Sequence, residues 1–176
     1  MEEKQQIALP EIKLPATMFP AAKDGGENKV LSIAQVEALI AWGKNYGLDA
    51  WQGHVLYMYG KPYVTERGAV ANAQTYPEYN GFVTMSLDPD AREARGLARD
   101  GYAYLCAVYI KSREHPIEDF GEVSMEEIER AKERYGEGVK FLPIFNSPAK
   151  MAYARAIRRA HLLAFPLKKK GEQEVK

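Results

Sequence analysis

The chain has 176 residues, of which 24 are lysine or arginine, 24 are aspartate or glutamate, and one is cysteine, Cys106. This length suits one domain with its own core, and a lone cysteine excludes an intramolecular disulfide and a thiolate zinc site. No apolar run approaches the roughly 20 residues that span a bilayer, and the N-terminus lacks the order of a signal peptide. We therefore predict a cytoplasmic protein without a membrane partner.

Residues 1–28 have the composition of a flexible N-terminal arm. Proline stands at positions 10, 15 and 20, and the apolar residues are scattered. Such a segment lacks a core of its own. Two interpretations stay open: a flexible terminus, or an arm that docks on a neighbouring subunit. The side chains that docking could bury are Ile7, Leu9, Ile12, Leu14, Met18 and Phe19.

The first predicted helix covers residues 32–46. Ser32 and Gln35 have the spacing of a capping box, in which each side chain bonds the other residue's backbone N–H. Gly47 suits the left-handed position just beyond a helix end. These signals predict both ends of the helix.

A β-hairpin is predicted next, from extended runs over residues 54–59 and 62–65. The pair Gly60-Lys61 between them predicts a type II′ turn. A short helix over residues 67–75 follows. Tyrosines are concentrated in this region, at Tyr57, Tyr59, Tyr63, Tyr76 and Tyr79.

The pattern returns to strands from residue 81, where FVTMSL predicts a strand. Asp88-Pro89 then begins a polar helix that reaches residue 98. Residues 102–111 alternate between two apolar faces, and the loop SREH separates them from a return strand over residues 116–123.

A charged helix is predicted from the capping box of Ser124 and Glu127 to residue 135, followed by a loop over residues 136–146. Hairpins with flanking helices, without regular βαβ alternation, predict an α+β fold with an antiparallel β-sheet and a long basic C-terminal core helix. We expect a core domain over residues 29–167 and a charged tail over residues 168–176.

The core helix is predicted over residues 147–165, SPAKMAYARAIRRAHLLAF, with Ser147 as N-cap and Pro166 as the stop. Positions 100° apart divide it into two faces. The apolar face holds Ala152, Tyr153, Ala156, Ile157, Ala160, Leu163 and Ala164. The basic face holds Lys150, Arg155, Arg158, Arg159 and His161. The alanines at 152, 156, 160 and 164 form a row that lets a neighbouring element approach closely.

Charge is segregated along the chain. Residues 140–170 contain eight lysines or arginines and no acidic residue, whereas residues 111–137 contain nine acidic and five basic residues. The basic segment is therefore expected to meet an anionic partner. We hypothesise that the acidic side faces the basic surface of a neighbouring subunit.

Signals for catalysis are poor. His54, His115 and His161 are isolated, Cys106 lies in the middle of a strand as a buried thiol would, and neither GxxxxGK[ST] nor GxGxxG occurs. We predict no cofactor, no metal and no ATP hydrolysis at a phosphate-binding loop. The carboxylates that a metal-dependent nuclease, our alternative function, could use are Asp88, Asp90, Glu118 and Asp119.

Signals for nucleic-acid binding are better. A cationic helix face can contact phosphates, and tyrosines such as Tyr57 and Tyr59 can stack on bases. His161, within the basic face, is expected to be solvated or to contact phosphate. A plain solvated surface, half-buried packing tyrosines, or an assembly protein with an acidic protein partner stay open as alternatives.

Two stretches resemble one family. GLDAWQGHVLYMYGKPYVT is similar to the segment that leads into a hairpin in the RecT/Red-beta family of phage single-strand annealing proteins. SPAKMAYARAIRRAHLLAF is similar to that family's core helix, where a proline precedes a basic residue, a methionine and spaced arginines. The resemblance covers roughly residues 32–166.

The resemblance implies ATP-independent binding of single-stranded DNA and annealing of complementary strands, through an annealed duplex intermediate, in phage-type homologous recombination and repair. It implies a homo-oligomer, as ring or filament, in the bacterial cytoplasm. It assigns phosphate contacts to Lys150 and Arg155, and then to Arg158 and Arg159.

The chain departs from the family pattern in two places. Leu162 stands where the Red-beta branch has a basic residue, and Arg159 or His161 is a candidate substitute. Many relatives continue into a C-terminal domain that recruits single-strand-binding protein and a partner exonuclease, whereas this chain ends in LKKKGEQEVK. That recruiting function is therefore either absent or carried by a longer chain.

Overall fold

The computed structural model describes residues 31–58 and 61–171. The predicted arm of residues 1–28 and the last five residues of the predicted tail lie outside the described residues. The elements in chain order are α1 (Ile33–Asn45), β1 (Val55–Met58), β2 (Lys61–Val64), α2 (Glu66–Gln74), β3 (Tyr79–Ser86), α3 (Pro89–Glu93), β4 (Tyr102–Ile110), β5 (Ile117–Val123), α4 (Met125–Tyr135), a 3₁₀ helix (Gly136–Phe141), α5 (Pro143–Asn146) and α6 (Pro148–Ala164).

The predicted α+β class is confirmed, and the hairpins form two antiparallel sheets rather than one. Strands β1 and β2 pair as an isolated hairpin, and a second sheet has the order β3-β4-β5. Met58 pairs with Lys61, so Lys61 lies in β2 and not in the turn as predicted. The turn itself lies outside the described residues.

Helix α6 packs against one face of the three-stranded sheet through its alanine row. Ala152, Ala156 and Ala160 are fully buried, as the wheel predicts for small residues at a close approach. Opposite them on β5 stands Gly121, where a Cβ atom would lie 2.2 Å from both the Ala152 carbonyl oxygen and the Ala156 nitrogen. Glycine is therefore required for β5 to lie this close to the backbone of α6.

The far end of α6 is tied to the first half of the chain by side-chain and backbone hydrogen bonds. The Asn72 amide in α2 donates to the Phe165 carbonyl at 2.7 Å, and the Tyr76 hydroxyl donates to the Pro166 carbonyl at 2.8 Å. The Lys170 N–H donates to the Asn45 carbonyl at the end of α1. The bonds to the Phe165 and Asn45 carbonyls satisfy groups that the end of a helix leaves unpaired.

Both capping boxes were predicted, and they differ in outcome. The box of Ser32 and Gln35 is complete and begins α1. At α4, the Ser124 hydroxyl accepts from the Glu127 N–H, whereas the Glu127 carboxylate is bound by Arg155. The Glu127 carboxylate therefore forms an ion pair with Arg155 of α6 and does not complete the predicted capping box of α4.

Three other local predictions need correction. Helix α3 ends at Glu93 instead of residue 98, because the chain turns through the left-handed Gly96. The predicted loop of residues 136–146 contains the 3₁₀ helix and α5. Helix α6 begins at Pro148 as expected, but the Ser147 side chain makes no capping hydrogen bond.

We expect Gly121→Ala to destabilise the fold by about 3 kcal/mol, because the added methyl group meets backbone atoms that cannot move independently. Equilibrium unfolding in urea measures the change. Gly138→Ala is the matched control, since a Cβ atom there has its nearest neighbour, the Tyr135 Cβ, at 4.0 Å. Equal stability of the two variants would contradict the close approach of β5 and α6.

Candidate nucleic-acid interface

A cleft of about 600 Å³ opens where β2, β5, α4 and α6 meet. Its wall combines four arginines with one tyrosine and two glutamates. The lining residues are Tyr63, Glu122, Ser124, Glu127, Arg130, Arg155, Arg158 and Arg159. Three of the four arginines come from the predicted basic face of α6, and Arg130 comes from α4.

Arg155 is held in the cleft by three acceptors. Its guanidinium forms a two-pronged ion pair with the Glu127 carboxylate, at 2.6 and 2.8 Å, and donates to the Glu122 carbonyl at 2.6 Å. Both side chains remain about one-third exposed. The planar group is thus fixed in orientation while solvent and solutes can still reach it.

Arg158 links α6 to the hairpin. Its Nε donates to the Val64 carbonyl at 2.7 Å, and its guanidinium carbon lies 4.4 Å from the centre of the Tyr63 ring. That distance is within the range of a cation–π interaction. One ring face of Tyr63 is therefore covered by an arginine at the edge of the cleft.

Strand alternation decides which hairpin tyrosine reaches this cleft. Val55 and Val64 pair across the hairpin and are buried, and Tyr57, two residues from Val55, shares their face and packs on the same core. Tyr63 is adjacent to Val64 and so faces the other way. The prediction named Tyr57 and missed Tyr63 as a site residue, although the period-two pattern could have found it.

Arg159 is paired at the outer edge of the cleft. Its Nε donates to an Asp119 carboxylate oxygen on β5 at 3.2 Å, and its guanidinium carbon lies 5.4 Å from the centre of the Phe120 ring. The Arg159 side chain is half exposed. A partly exposed pair of this kind contributes little to stability, about 1 kcal/mol or less.

The charge of the basic face is therefore partly balanced within the chain. The segregation of charge along the sequence predicts that the basic segment meets an anionic partner and that the acidic side faces the basic surface of a neighbouring subunit. Instead, Glu127 of α4 and Asp119 of β5 contact Arg155 and Arg159 of α6. The cleft is lined by four arginines and two glutamates, and Glu126 and Asp119 pair with Arg130 and Arg159 from beside it.

The remaining predicted contacts fall in different places. Lys150 lies in the first turn of α6 and is exposed, whereas Tyr59 lies outside the described residues. Leu162, where the family pattern fails, packs against the core of α1 and the hairpin.

His161 is buried, so the prediction that it is solvated or contacts phosphate is wrong. Its side chain has 0% exposure, its Nδ1 donates to the Ile157 carbonyl at 2.8 Å, and its Nε2 lies 3.3 Å from the Tyr79 hydroxyl. The Phe82 ring packs edge-on against it. Sheet β3-β4-β5 covers this side of α6, which the helical wheel alone could not show.

Burial lowers the pKa of His161 below its ordinary value of 6.5. The neutral ring satisfies both nitrogens, donating from Nδ1 and accepting at Nε2 from Tyr79. Burial also raises the pKa of the Cys106 thiol to about 12, and the negative charge of Asp119 contributes to the same increase. Cys106 is therefore the inert buried thiol that its position in the middle of a strand predicts.

Three of the four carboxylates considered for a nuclease have other partners, and the fourth, Glu118, is exposed on β5. Asp88 caps α3 by accepting from the Ala91 N–H, Asp90 pairs with Arg99, and Asp119 pairs with Arg159. Among residues 31–58 and 61–171, no three histidine, cysteine, aspartate or glutamate side chains are arranged to hold a metal ion. In the same residues, every helix is too short or too polar to cross a bilayer.

No protein-family model matches the chain, and no curated protein is significantly similar to it. The geometry of the cleft and the two motifs noted above are therefore the basis for any functional proposal.

We expect the stability of the fold to decrease as the pH falls below about 6.5. The unfolded chain binds a proton at His161 before the folded chain does, and the loss continues until the pH passes the lowered folded pKa. The slope is at most about 1.4 kcal/mol per pH unit for this one proton. Urea unfolding between neutral and mildly acidic pH measures it.

His161→Gln should reduce this pH dependence, since the glutamine amide does not titrate. His115→Gln, at an exposed position, is the control and should retain it. If His161→Gln and the unsubstituted protein lose stability in parallel as the pH falls, the buried imidazole is not the group responsible.

Proposed function

We propose that the chain binds single-stranded DNA in the arginine cleft and anneals complementary strands without ATP, as a homo-oligomer. The observation that carries this proposal is the cleft itself, in which four arginines and an aromatic ring converge from three elements. Arginine forks suit phosphate oxygens, and an aromatic ring suits an unpaired base. The resemblance of two stretches to RecT/Red-beta annealing proteins supports the same function.

Phosphate binding would use guanidinium groups that are already oriented. Arg155 and Arg159 reach carboxylate oxygens at hydrogen-bonding distance, and phosphate oxygens offer the same acceptor geometry. An incoming backbone would replace Glu127 and Asp119 as the partner, at a modest cost for partly exposed pairs. Exposed Lys150, at the start of the same helix, would add a further contact.

Base stacking would use Tyr63. Arg158 covers one face of its ring, and the side chain is only half-buried. An unpaired base can stack on the part that remains accessible, with a contribution of about 1–3 kcal/mol that does not depend on the base's identity. A duplex, in which the bases are already stacked and paired, cannot use this contact.

Annealing follows from these contacts because no covalent bond changes. A strand held by its phosphates can keep most base edges free, and pairing with a complement supplies the free energy. We also propose, from the family resemblance, action in the bacterial cytoplasm alongside single-strand-binding protein and a partner exonuclease.

Glu127→Gln should tighten binding of single-stranded DNA about twofold to fivefold, because phosphate no longer displaces a carboxylate from Arg155. This corresponds to the roughly 0.5–1 kcal/mol of a partly exposed ion pair. Fluorescence anisotropy of a labelled oligonucleotide at low salt measures it. The control is Glu129→Gln, which removes the same charge from the same helix but from a residue paired with Lys132.

Arg155→Ala should weaken binding across sequences and lower the magnitude of the salt slope by about 0.7, the value for one single-strand phosphate contact. If Glu127→Gln and Glu129→Gln bind single-stranded DNA with equal affinity and Arg155→Ala leaves the salt slope of binding unchanged, the DNA does not bind in the arginine cleft.

The protein should accelerate pairing of complementary oligonucleotides in the absence of ATP, and Arg158→Ala should reduce the acceleration. Loss of donor fluorescence from end-labelled strands gives the rate. Arg95→Ala, which removes an arginine that does not line the cleft, should leave it unchanged. Degradation of full-length strands in the presence of Mg²⁺ would contradict an annealing function and favour a nuclease.

A further inference from the structure

Strand β3 is an open edge of the three-stranded sheet. The sheet order is β3-β4-β5, and the sequence of β3, YNGFVTMS, contains no charged residue and no proline. The other edge strand, β5, carries Glu118, Asp119 and Glu122. Charges and prolines are the usual protection of an edge strand against pairing with another chain, and β3 has neither.

The backbone register shows which groups of β3 point outward. The Leu87 N–H donates to the Ala103 carbonyl, and residues 82–86 continue this register along β4. Bonding positions alternate in an antiparallel pair, so Val83 and Met85 bond to β4. The N–H and C=O groups of Phe82, Thr84 and Ser86 therefore point to the open edge. Within residues 31–58 and 61–171, these groups form no hydrogen bond to another element.

The side chains of Val83 and Met85 are unusually exposed for apolar residues. Their exposed fractions are 51% and 53%. Phe82 contacts His161 of α6, so its neighbours along the strand point to the face away from α6. This open edge thus presents unpaired backbone groups together with two uncovered apolar side chains.

We propose that β3 pairs antiparallel with β3 of a second copy of this chain, centred on Thr84. In this register Phe82 lies opposite Ser86 of the partner subunit, and Thr84 lies opposite Thr84 of the partner subunit. These pairs use the outward-pointing groups and form about six backbone hydrogen bonds. The two three-stranded sheets become one sheet of six strands.

The same register covers the apolar side chains. Val83 comes to lie opposite Met85 of the partner subunit, in the closely spaced type of pair, and the reciprocal contact follows from the two-fold symmetry. Pairing β3 with a partner's β5 instead would set these side chains beside a strand with three carboxylates. The irregularity between Tyr79 and Phe82 confines regular pairing to residues 82–86.

The β3–β3 contact rests on the proposed function in one respect, since it would be one interface of the homo-oligomer proposed there. Its tests use the protein without DNA, so that failure of the contact and failure of DNA binding are distinguishable. A two-fold contact closes on itself, and any longer assembly would need a second surface.

Sedimentation equilibrium should show twice the chain mass, and Met85→Lys should shift the population toward the monomer by at least tenfold in dissociation constant. The lysine is tolerated in the monomer because Met85 is exposed. Leu163→Lys, at an exposed apolar position of α6, is the matched control and should dimerise normally. A protein that is monomeric throughout, or equal behaviour of the two variants, would overturn the proposal.

A mixing experiment tests the register. Val83→Cys and Met85→Cys proteins, mixed and mildly oxidised, should form a disulfide-linked dimer, because the two positions face each other across the interface. Each variant alone should cross-link far less, and buried Cys106 should not react. Equal cross-linking in the separate and mixed samples would contradict this pairing.

Discussion

The fold depends on the close approach of β5 to the backbone of α6. Gly121 lies against the peptide groups of Ala152 and Ala156, closer than any residue with a side chain could lie. This contact fixes where the acidic side chains of β5 stand relative to the arginines of α6. It also brings the Glu122 carbonyl within 2.6 Å of Arg155. Gly121 on β5 and the alanine row of α6 therefore determine the geometry of the cleft.

The cleft combines two properties that a nucleic-acid surface needs. Arg155 and Arg159 are oriented by acidic partners, and both ion pairs keep some solvent exposure, so exchange of a carboxylate for phosphate costs little free energy. A fully buried network would hold the guanidinium groups too firmly, and a fully solvated one would leave them unordered. Acidic residues beside the arginines thus orient the site and at the same time moderate its affinity for anions.

Local signals in the sequence were sufficient for most of the fold. The Ser32 capping box, the alternation of β4 and the alanine row of α6 each depend on residues a few positions apart. The pairing of Arg155 with Glu127 depends on how β5 and α4 approach α6, which no local pattern encodes. The burial of His161 has the same cause, because the wheel places it beside the arginines and only the packed sheet covers it. Strand alternation could have identified Tyr63, because it is adjacent to the buried Val64 and therefore faces the opposite side of the hairpin.

We propose that the arginine cleft binds single-stranded DNA with a base stacked on Tyr63. Photo-cross-linking of the full chain to an oligonucleotide that carries 5-iodouracil, followed by mass spectrometry of the peptides, tests it most directly. We expect the main adduct at Tyr63, with its yield reduced when Arg155 is replaced by alanine. Adducts confined to peptides outside the cleft, or cross-linking that Arg155→Ala leaves unchanged, would contradict the account.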